Sequence, residues 1–227
     1  MEYKNITYGT FVSRPNRFIG IVDINGNRET VHIKNTGRCK ELLVSGNKVL
    51  LDKSDNPARK TAYDLVSVYK NEDLLINMDS FTPNTVVAEW LPESGIFSSK
   101  AVIKREVTYK SSRFDIYVKD GDRKAFIEVK GVTLEDNGHC RFPDAPTERG
   151  VKHLNELISC VKDGYEAYVI FVIQFSGALS LSPNDETHKE FGVALRNAEK
   201  CGVNILAYDC FVTDTSVNIN AHVKVIL

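Results

Sequence analysis

From residue 7 to about residue 69, apolar and polar positions alternate in short runs. Segments 9–13, 17–24, 29–33, 48–51 and 62–69 are rich in β-branched and aromatic residues, at a period of two or in brief apolar stretches. This is the pattern of strands. Asn25-Gly26-Asn27 separates two of them as a hairpin turn. Strands this short and this close predict a small all-β barrel, and an OB-like and an SH3-like barrel meet the same strand count. Residues 73–80 read as a short helix and a connection. Thr82-Pro83-Asn84-Thr85 then marks a boundary that divides the chain into domains 1–82 and 83–227. Beyond it the period changes. Residues 86–91 read as a helix that places Trp90 between the domains, and a second helix, capped by Ser98-Ser99, runs to about residue 106. Strands follow at 113–119 and 124–130, joined at Gly121-Asp122, and Asn137-Gly138 continues the meander with a tight turn. A helix over 147–162 carries Leu154, Leu157, Ile158 and Val161 on one face, with Gly164 beyond its end. A buried strand (166–175), a helix (186–200), a strand (203–208) and a final strand or tail (217–227) complete an α/β half with a mixed sheet.

The 113–130 hairpin carries the candidate chemistry. With Gly121 and Asp122 as the turn, paired residues bring Asp115 opposite Glu128 and Arg113 opposite Lys130, both pairs of like charge. Such pairs destabilise a sheet. Two facing carboxylates make sense around a hard divalent cation, Mg²⁺ or Mn²⁺, which takes oxygen ligands. Lys130, two residues after Glu128, points to the same face, where an ammonium can orient water or offset charge on a phosphate. Glu106, at the end of the preceding predicted helix, offers a third carboxylate. The plainer alternative is an amphipathic strand with its charges in water.

A net charge of −1 does not argue for nucleic acid, but its distribution does. Residues 1–60 hold 11 Lys and Arg against 6 Asp and Glu, and residues 100–130 hold 9 against 5. These excesses suggest two basic patches. On the barrel, Phe11, Arg14, Arg17, Phe18 and Arg38 mix rings with cations as a strand-binding surface does, although Phe11 and Phe18 also suit an inward core. Arg38 and Lys40, beside the Asn35-Thr36-Gly37 turn, can meet phosphates. The five cysteines are odd in number, scattered and without a Cys-x-x-Cys pair, which fits reduced cytoplasmic thiols. No apolar run is long enough for a signal peptide or a membrane span, so membrane is not among the expected partners.

At Asp115, Glu128 and Lys130 the chain resembles the PD-(D/E)xK nuclease superfamily, with an acid on one strand, Glu-x-Lys on the next and Glu106 in the place of the helix acid. Phe114 stands where that pattern has proline. The run Phe142-Pro143-Asp144-Ala145-Pro146-Thr147-Glu148-Arg149-Gly150-Val151-Lys152-His153-Leu154 resembles a signature of the sugar fermentation stimulation protein A family. With Asn35-Thr36-Gly37 and Glu128–Leu134, that resemblance spans essentially the whole chain. It implies an N-terminal OB-like domain, a PD-(D/E)xK restriction-endonuclease-like C-terminal domain, and DNA binding. It also implies that Arg149 and His153, which match the signature as Thr147 does, lie near substrate phosphate; Lys152 beside them and Arg113 on the hairpin are further candidate nucleic-acid contacts. Asp144 either reaches a metal or caps the following helix.

Two functional classes follow. One is a metal-dependent nuclease acting on DNA, with RNA also open, in which Asp115, Glu128 and Glu106 hold the metal and Lys130 serves the attacking water. The other is a non-catalytic DNA-binding regulator linked to sugar (maltose) metabolism. Glycoside chemistry has two carboxylates in its favour but no use for a lysine two residues along one strand.

Overall fold

The alternating front of the chain forms β1 (Ile6–Asn16), β2 (Ile19–Ile24), β3 (Asn27–Ile33), β4 (Lys48–Lys53) and β5 (Tyr63–Tyr69). The computed structural model describes residues 1–35 and 37–227, so the centre of the Asn35-Thr36-Gly37 turn lies outside the described residues. β1 pairs with β2 and β4, β2 with β3, and β4 with β5; parallel pairing of His32 with Asp64 and Ile33 with Leu65 then joins β3 to β5 and closes a five-stranded OB-like barrel. Asn25 and Gly26 take positive φ of 51° and 84°, the left-handed pair that a tight hairpin turn between twisted strands requires. Phe11, Val22, Val31, Ile33, Val49, Leu51, Leu65 and Val68 fill the interior. Phe11 is therefore core, whereas Phe18 at the β1–β2 turn is 53 % exposed.

Residues 73–80 do not form a helix. Leu75–Asn77 is a strand, β6, added at the edge of β5. Helix α1 (Thr82–Trp90) follows, with Pro83 in its first turn, where a missing N–H costs nothing. Trp90 packs on Tyr208 with ring centroids 4.5 Å apart, against the core to which the barrel's Leu50 and Val66 also belong.

The expected helix over 98–106 is absent. Ser98 binds Asp120 through its N–H and its hydroxyl, and β7 (Val102–Tyr109) is a strand exposed along most of its length. It lies at the edge of a six-stranded sheet and pairs with β8 (Ser112–Asp120), which pairs with β9 (Arg123–Val132). An edge strand buries too little to show alternation in the sequence, and its Lys, Arg and Glu read instead as a helix surface. β10 (Glu135–Asp136) and β11 (His139–Phe142) follow, then α2 (Glu148–Lys162), β12 (Glu166–Ile173), β13 (Ser180–Pro183), α3 (Asp185–Lys200), β14 (Asn204–Val212), β15 (Val217–His222) and β16 (Lys224–Val225). The main sheet runs β15-β14-β12-β9-β8-β7. β9, β12 and β14 are mutually parallel and the outer pairs antiparallel, which makes it the mixed sheet of an α/β domain. One face packs Phe114, Phe126 and Phe171 on Leu154, Leu157 and Phe191 of α2 and α3; the other packs Ile116, Ile127 and Ile170 on Val86 and Val87 of α1. Leu50 and Val66 of the barrel join that second core, so the two domains share buried surface. Among the described residues no helix is long and apolar enough to cross a membrane.

Candidate metal centre and nucleic-acid interface

The β8–β9 hairpin turns where expected, with Gly121 at φ 58°, and its register runs from Asp120 opposite Arg123 to Ile116 opposite Ile127. There the ladder stops. Asp115 and Glu128 are next in line, but Asp115 Oδ2 accepts the Val129 N–H at 2.8 Å. The two strands splay, and the alternation slips with them: Phe114 enters the core against α2 and Ile116 the core against α1. Arg113 does not face Lys130. It is exposed and pairs with Glu106 at 2.8 Å.

Glu106 thus leaves the site. It sits on β7 between the pairs Arg105–Ile116 and Val107–Phe114, takes φ 58°, and turns its carboxylate to Arg113. The helix that does reach the site is α1, and it brings an amide: Asn84 Nδ2 donates to Asp115 Oδ1 at 2.7 Å. Nothing in the sequence pattern marks Asn84. Pro83 beside it packs on Gly131, where an added Cβ would lie 2.8 Å from the proline ring, so the residue after Lys130 has to be glycine for α1 to come this close.

Glu128 is 3 % exposed. Its Oε1 accepts from Lys130 Nζ at 2.5 Å and from His153 Nδ1 at 2.5 Å. His153 Nε2 accepts from Arg149 Nε at 3.3 Å, which leaves Nδ1 to donate to Glu128. His153 is therefore a buried support for Glu128 and not a phosphate contact. Both donors converge on Oε1, and Glu128 Oε2 is buried with no partner at all. An unpaired buried carboxylate oxygen is costly, and such an oxygen is what a hard cation coordinates. The electrostatics agree. Burial and the neighbouring Glu128 push the Asp115 carboxyl up to about 6. Burial pushes Glu128 the same way, but the His153 and Lys130 bonds outweigh it and hold that carboxyl below its usual range. Two carboxylates with one open oxygen fit a divalent ion, although no cluster of three or more His, Cys, Asp or Glu gathers among the described residues. All five cysteines are free, and burial pushes the Cys39, Cys140, Cys160 and Cys210 thiols up to about 12, so these four serve packing and not chemistry.

The remaining cations divide into two groups. Arg14 spends its two terminal nitrogens on the carbonyls of Arg17, Asn35, Gly37 and Arg38 at 2.7–2.9 Å, and its remaining Nε–H is buried without a partner, so it braces the loop at Asn35, Gly37 and Arg38 and presents no donor to phosphate. Lys152 donates to the Ser111 carbonyl at 3.0 Å. Arg17, Arg38 and Lys40 are exposed and line an open recess of about 420 Å³ with Ala145 and Pro146 of the second domain. Asp144 is neither a cap nor placed at the carboxylates. Thr147 caps α2 through Gly150 N at 3.0 Å, while Asp144 Oδ2 accepts the Arg38 N–H at 3.1 Å and ties the barrel loop to the second domain. A smaller recess bounded by Asn35, Asp144 and Gly131 lies between that contact and the strand bearing Glu128 and Lys130.

The chain matches two family models, the sugar fermentation stimulation protein N-terminal OB domain over residues 12–78 and the sugar fermentation stimulation protein RE domain over 81–216. It is 56 % identical over 227 residues, the full length of both chains, to a sugar fermentation stimulation protein homolog of Clostridium beijerinckii. It is 53 % identical over 225 residues, 99 % of each chain, to one of Ruminiclostridium cellulolyticum. The solved structure of Pyrococcus furiosus SfsA in complex with Ca²⁺ superposes with a TM-score of 0.89 at 25 % identity, covering 100 % of this chain and 98 % of the other. Matched along its length by both domain models and by full-length relatives, the chain belongs to the sugar fermentation stimulation protein family.

Proposed function

We propose that the chain is a divalent-metal-dependent nuclease that hydrolyses phosphodiester bonds of nucleic acid, DNA foremost and RNA as a second substrate, in the reducing cytoplasm. The observation that carries this is the buried, unpartnered Oε2 of Glu128 beside an Asp115 carboxyl pushed up to about 6. Asp115 and Glu128 would hold Mg²⁺ or Mn²⁺, and Asn84 and His153 orient the two carboxylates. Pyrococcus furiosus SfsA has been captured with Ca²⁺, an ion that also seeks oxygen ligands, and this supports a cation here. When bound, a divalent ion offsets charge on a phosphoryl oxygen and lowers the pKa of its water. Lys130 keeps Glu128 ionised and presents its ammonium at the same edge, where it stabilises negative charge developing on phosphate. Arg17, Arg38 and Lys40 would hold the backbone of the strand.

A second reading, a non-catalytic DNA-binding regulator linked to sugar metabolism, draws on one observation. With Glu106 turned away and Asn84 on α1, the site has two carboxylates and not three. The deciding assay is Mn²⁺-dependent degradation of single- and double-stranded DNA and RNA by wild type, Lys130→Ala and Glu128→Gln, purified identically. A nuclease loses on the order of a hundredfold in rate in Lys130→Ala while still binding Mn²⁺. Equal degradation by all three, or none by wild type on any substrate, rejects hydrolysis and leaves the DNA-binding reading.

A further inference from the structure

Phe81 is 67 % exposed, the most exposed large apolar side chain among the described residues. A phenylalanine left in water forgoes about 1.5–3 kcal/mol of burial, and this one is not on a remote surface. It is the N-cap residue of α1, three positions before Asn84, and residues three apart on a helix lie on one face. Asn84 touches Asp115 and Pro83 covers Gly131, so Phe81 opens the helix that reaches the two-carboxylate site. Its base is held from the barrel side. The Phe81 N–H donates to Asp79 Oδ1 at 3.0 Å, Asp79 Oδ2 binds Lys34 Nζ at 2.9 Å, and the Ser80 hydroxyl donates to the Lys34 carbonyl at 2.9 Å. Lys34 Nζ in turn lies 5.9 Å from the ring centroid. Lys34 also binds Asp64 at 3.3 Å, so its charge is already partnered and is poorly placed to serve as a phosphate contact. The ring, by contrast, has an exposed apolar surface. Across the domain junction Phe18, also exposed, adjoins Arg17 of the cation-lined recess.

We infer that Phe81 is a stacking platform for an unpaired nucleobase and that the substrate class is therefore single-stranded nucleic acid or the frayed end of a duplex. In the interior of a duplex both faces of every base are covered by neighbours, and an aromatic platform has nothing to receive there. In a single strand a base laid on Phe81 positions the adjoining phosphate near Asp115, Glu128 and Lys130, while Arg17, Arg38 and Lys40 hold the backbone farther along. The inference rests on the nucleic-acid reading of the site and adds to it a strand preference that the carboxylates alone do not specify.

The test is equilibrium binding in EDTA, where no cleavage occurs, of a mixed-sequence fluorescent single strand and of a blunt duplex of equal length to the full chain. Phe81→Ala should weaken single-strand binding by about 5- to 150-fold, the range for loss of one base–aromatic stack. Duplex affinity and the salt dependence on either ligand should stay as in wild type, because no phosphate contact is removed. Phe81→Trp should keep the affinity, and its added fluorescence over the Trp90 background should be quenched by the single strand and not by the duplex. That signal does not depend on how well the alanine variant folds. Wild type binding neither ligand rejects the nucleic-acid reading and this inference with it. Wild type binding the single strand, with Phe81→Ala within twofold of it or Phe81→Trp unquenched, rejects the platform alone.

Discussion

Asp115→Asn is expected to make the metal-free protein more stable at pH 8. The Asp115 carboxyl is pushed from 3.8 to about 6 by burial and by Glu128, so the folded protein holds this proton more tightly than the unfolded chain does. The contribution to stability is fully present below the unfolded pKa and is lost as pH rises through about 6. Above that, the charged carboxylate costs about 3 kcal/mol, at about 1.4 kcal/mol per pH unit between the two values. An asparagine carries no charge, but its single oxygen can accept from Asn84 or from Val129 and not from both as Asp115 does, which gives back roughly 1 kcal/mol. The net gain is about 2 kcal/mol at pH 8, or on the order of 4–8 °C in Tm for a chain of this size. At pH 4, where Asp115 is largely protonated in the folded state, the gain should vanish. The assay is thermal unfolding in EDTA at pH 4 and pH 8, repeated at pH 8 with millimolar Mn²⁺. Wild type should rise with the ion, by about 2.7 kcal/mol at a hundred times its Kd, and the variant should not. An equal gain at both pH values would show that the charge is not its source, and an equal Mn²⁺ shift in both proteins would remove Asp115 from the site.

His153→Ala removes the donor that orients Glu128. Calorimetric titration should show Mn²⁺ affinity falling by about 10- to 100-fold, as for other groups that hold a ligand in place, with DNA affinity in EDTA unchanged because the ring is buried; the reverse pattern would restore His153 to phosphate binding. Asp64 makes the acid limb of stability. Burial alone would raise its carboxyl, but hydrogen bonds from Arg59 and His32 and the charge of Lys34 outweigh burial and bring it down to about 2. Its contribution of about 2 kcal/mol is present above the unfolded value near 3.8 and is lost as pH falls towards 2, so urea unfolding between pH 5 and 2.5 should be flatter in Asp64→Asn than in wild type. Parallel curves would place the acid sensitivity elsewhere.

What the sequence made legible follows from how local each feature is. The barrel strands and the 116–127 register depend on short-range alternation and on turns at Asn25-Gly26 and Gly121-Asp122, whose backbone demands can be read from four residues. Helix α2 was legible for the same reason, since one face carries Leu154, Leu157 and Ile158. Glu106 was misplaced because β7 is an exposed edge strand, whose charged residues resemble a helix surface, and because its φ of 58° cannot be read from glutamate. Asn84 was missed because its only distinction is a contact 31 positions away. Charge and neighbourhood point Arg14 to nucleic acid, and the family resemblance points His153 there. Their partners in space, four backbone carbonyls for one and Glu128 for the other, are set by tertiary packing and leave no trace in spacing.

Those same contacts explain why the barrel is more than a tether for the second domain. The 35–38 loop is shaped from within the barrel by Arg14 and pinned from outside by Asp144, and the close approach requires Gly37, where an added Cβ would lie 2.5 Å from Asp144 Oδ2. From the other end of that loop, Lys34 reaches Asp79, whose second oxygen takes the Phe81 N–H at the start of α1. Two residues on, Pro83 rests on Gly131, and Asn84 holds Asp115. Every link in this path is a hydrogen bond, an ion pair or a tight packing contact between short-chain segments. On the proposed function, phosphate held at Arg38 would therefore sit beside residues tied, through Lys34 and Asp79, to the helix that holds Asp115. Cutting the chain between the domains would remove Lys34, Asp79 and the loop together, so an isolated second domain would lose the support of α1 along with the cations, and its weakness in any assay could not be assigned to lost phosphate contacts alone.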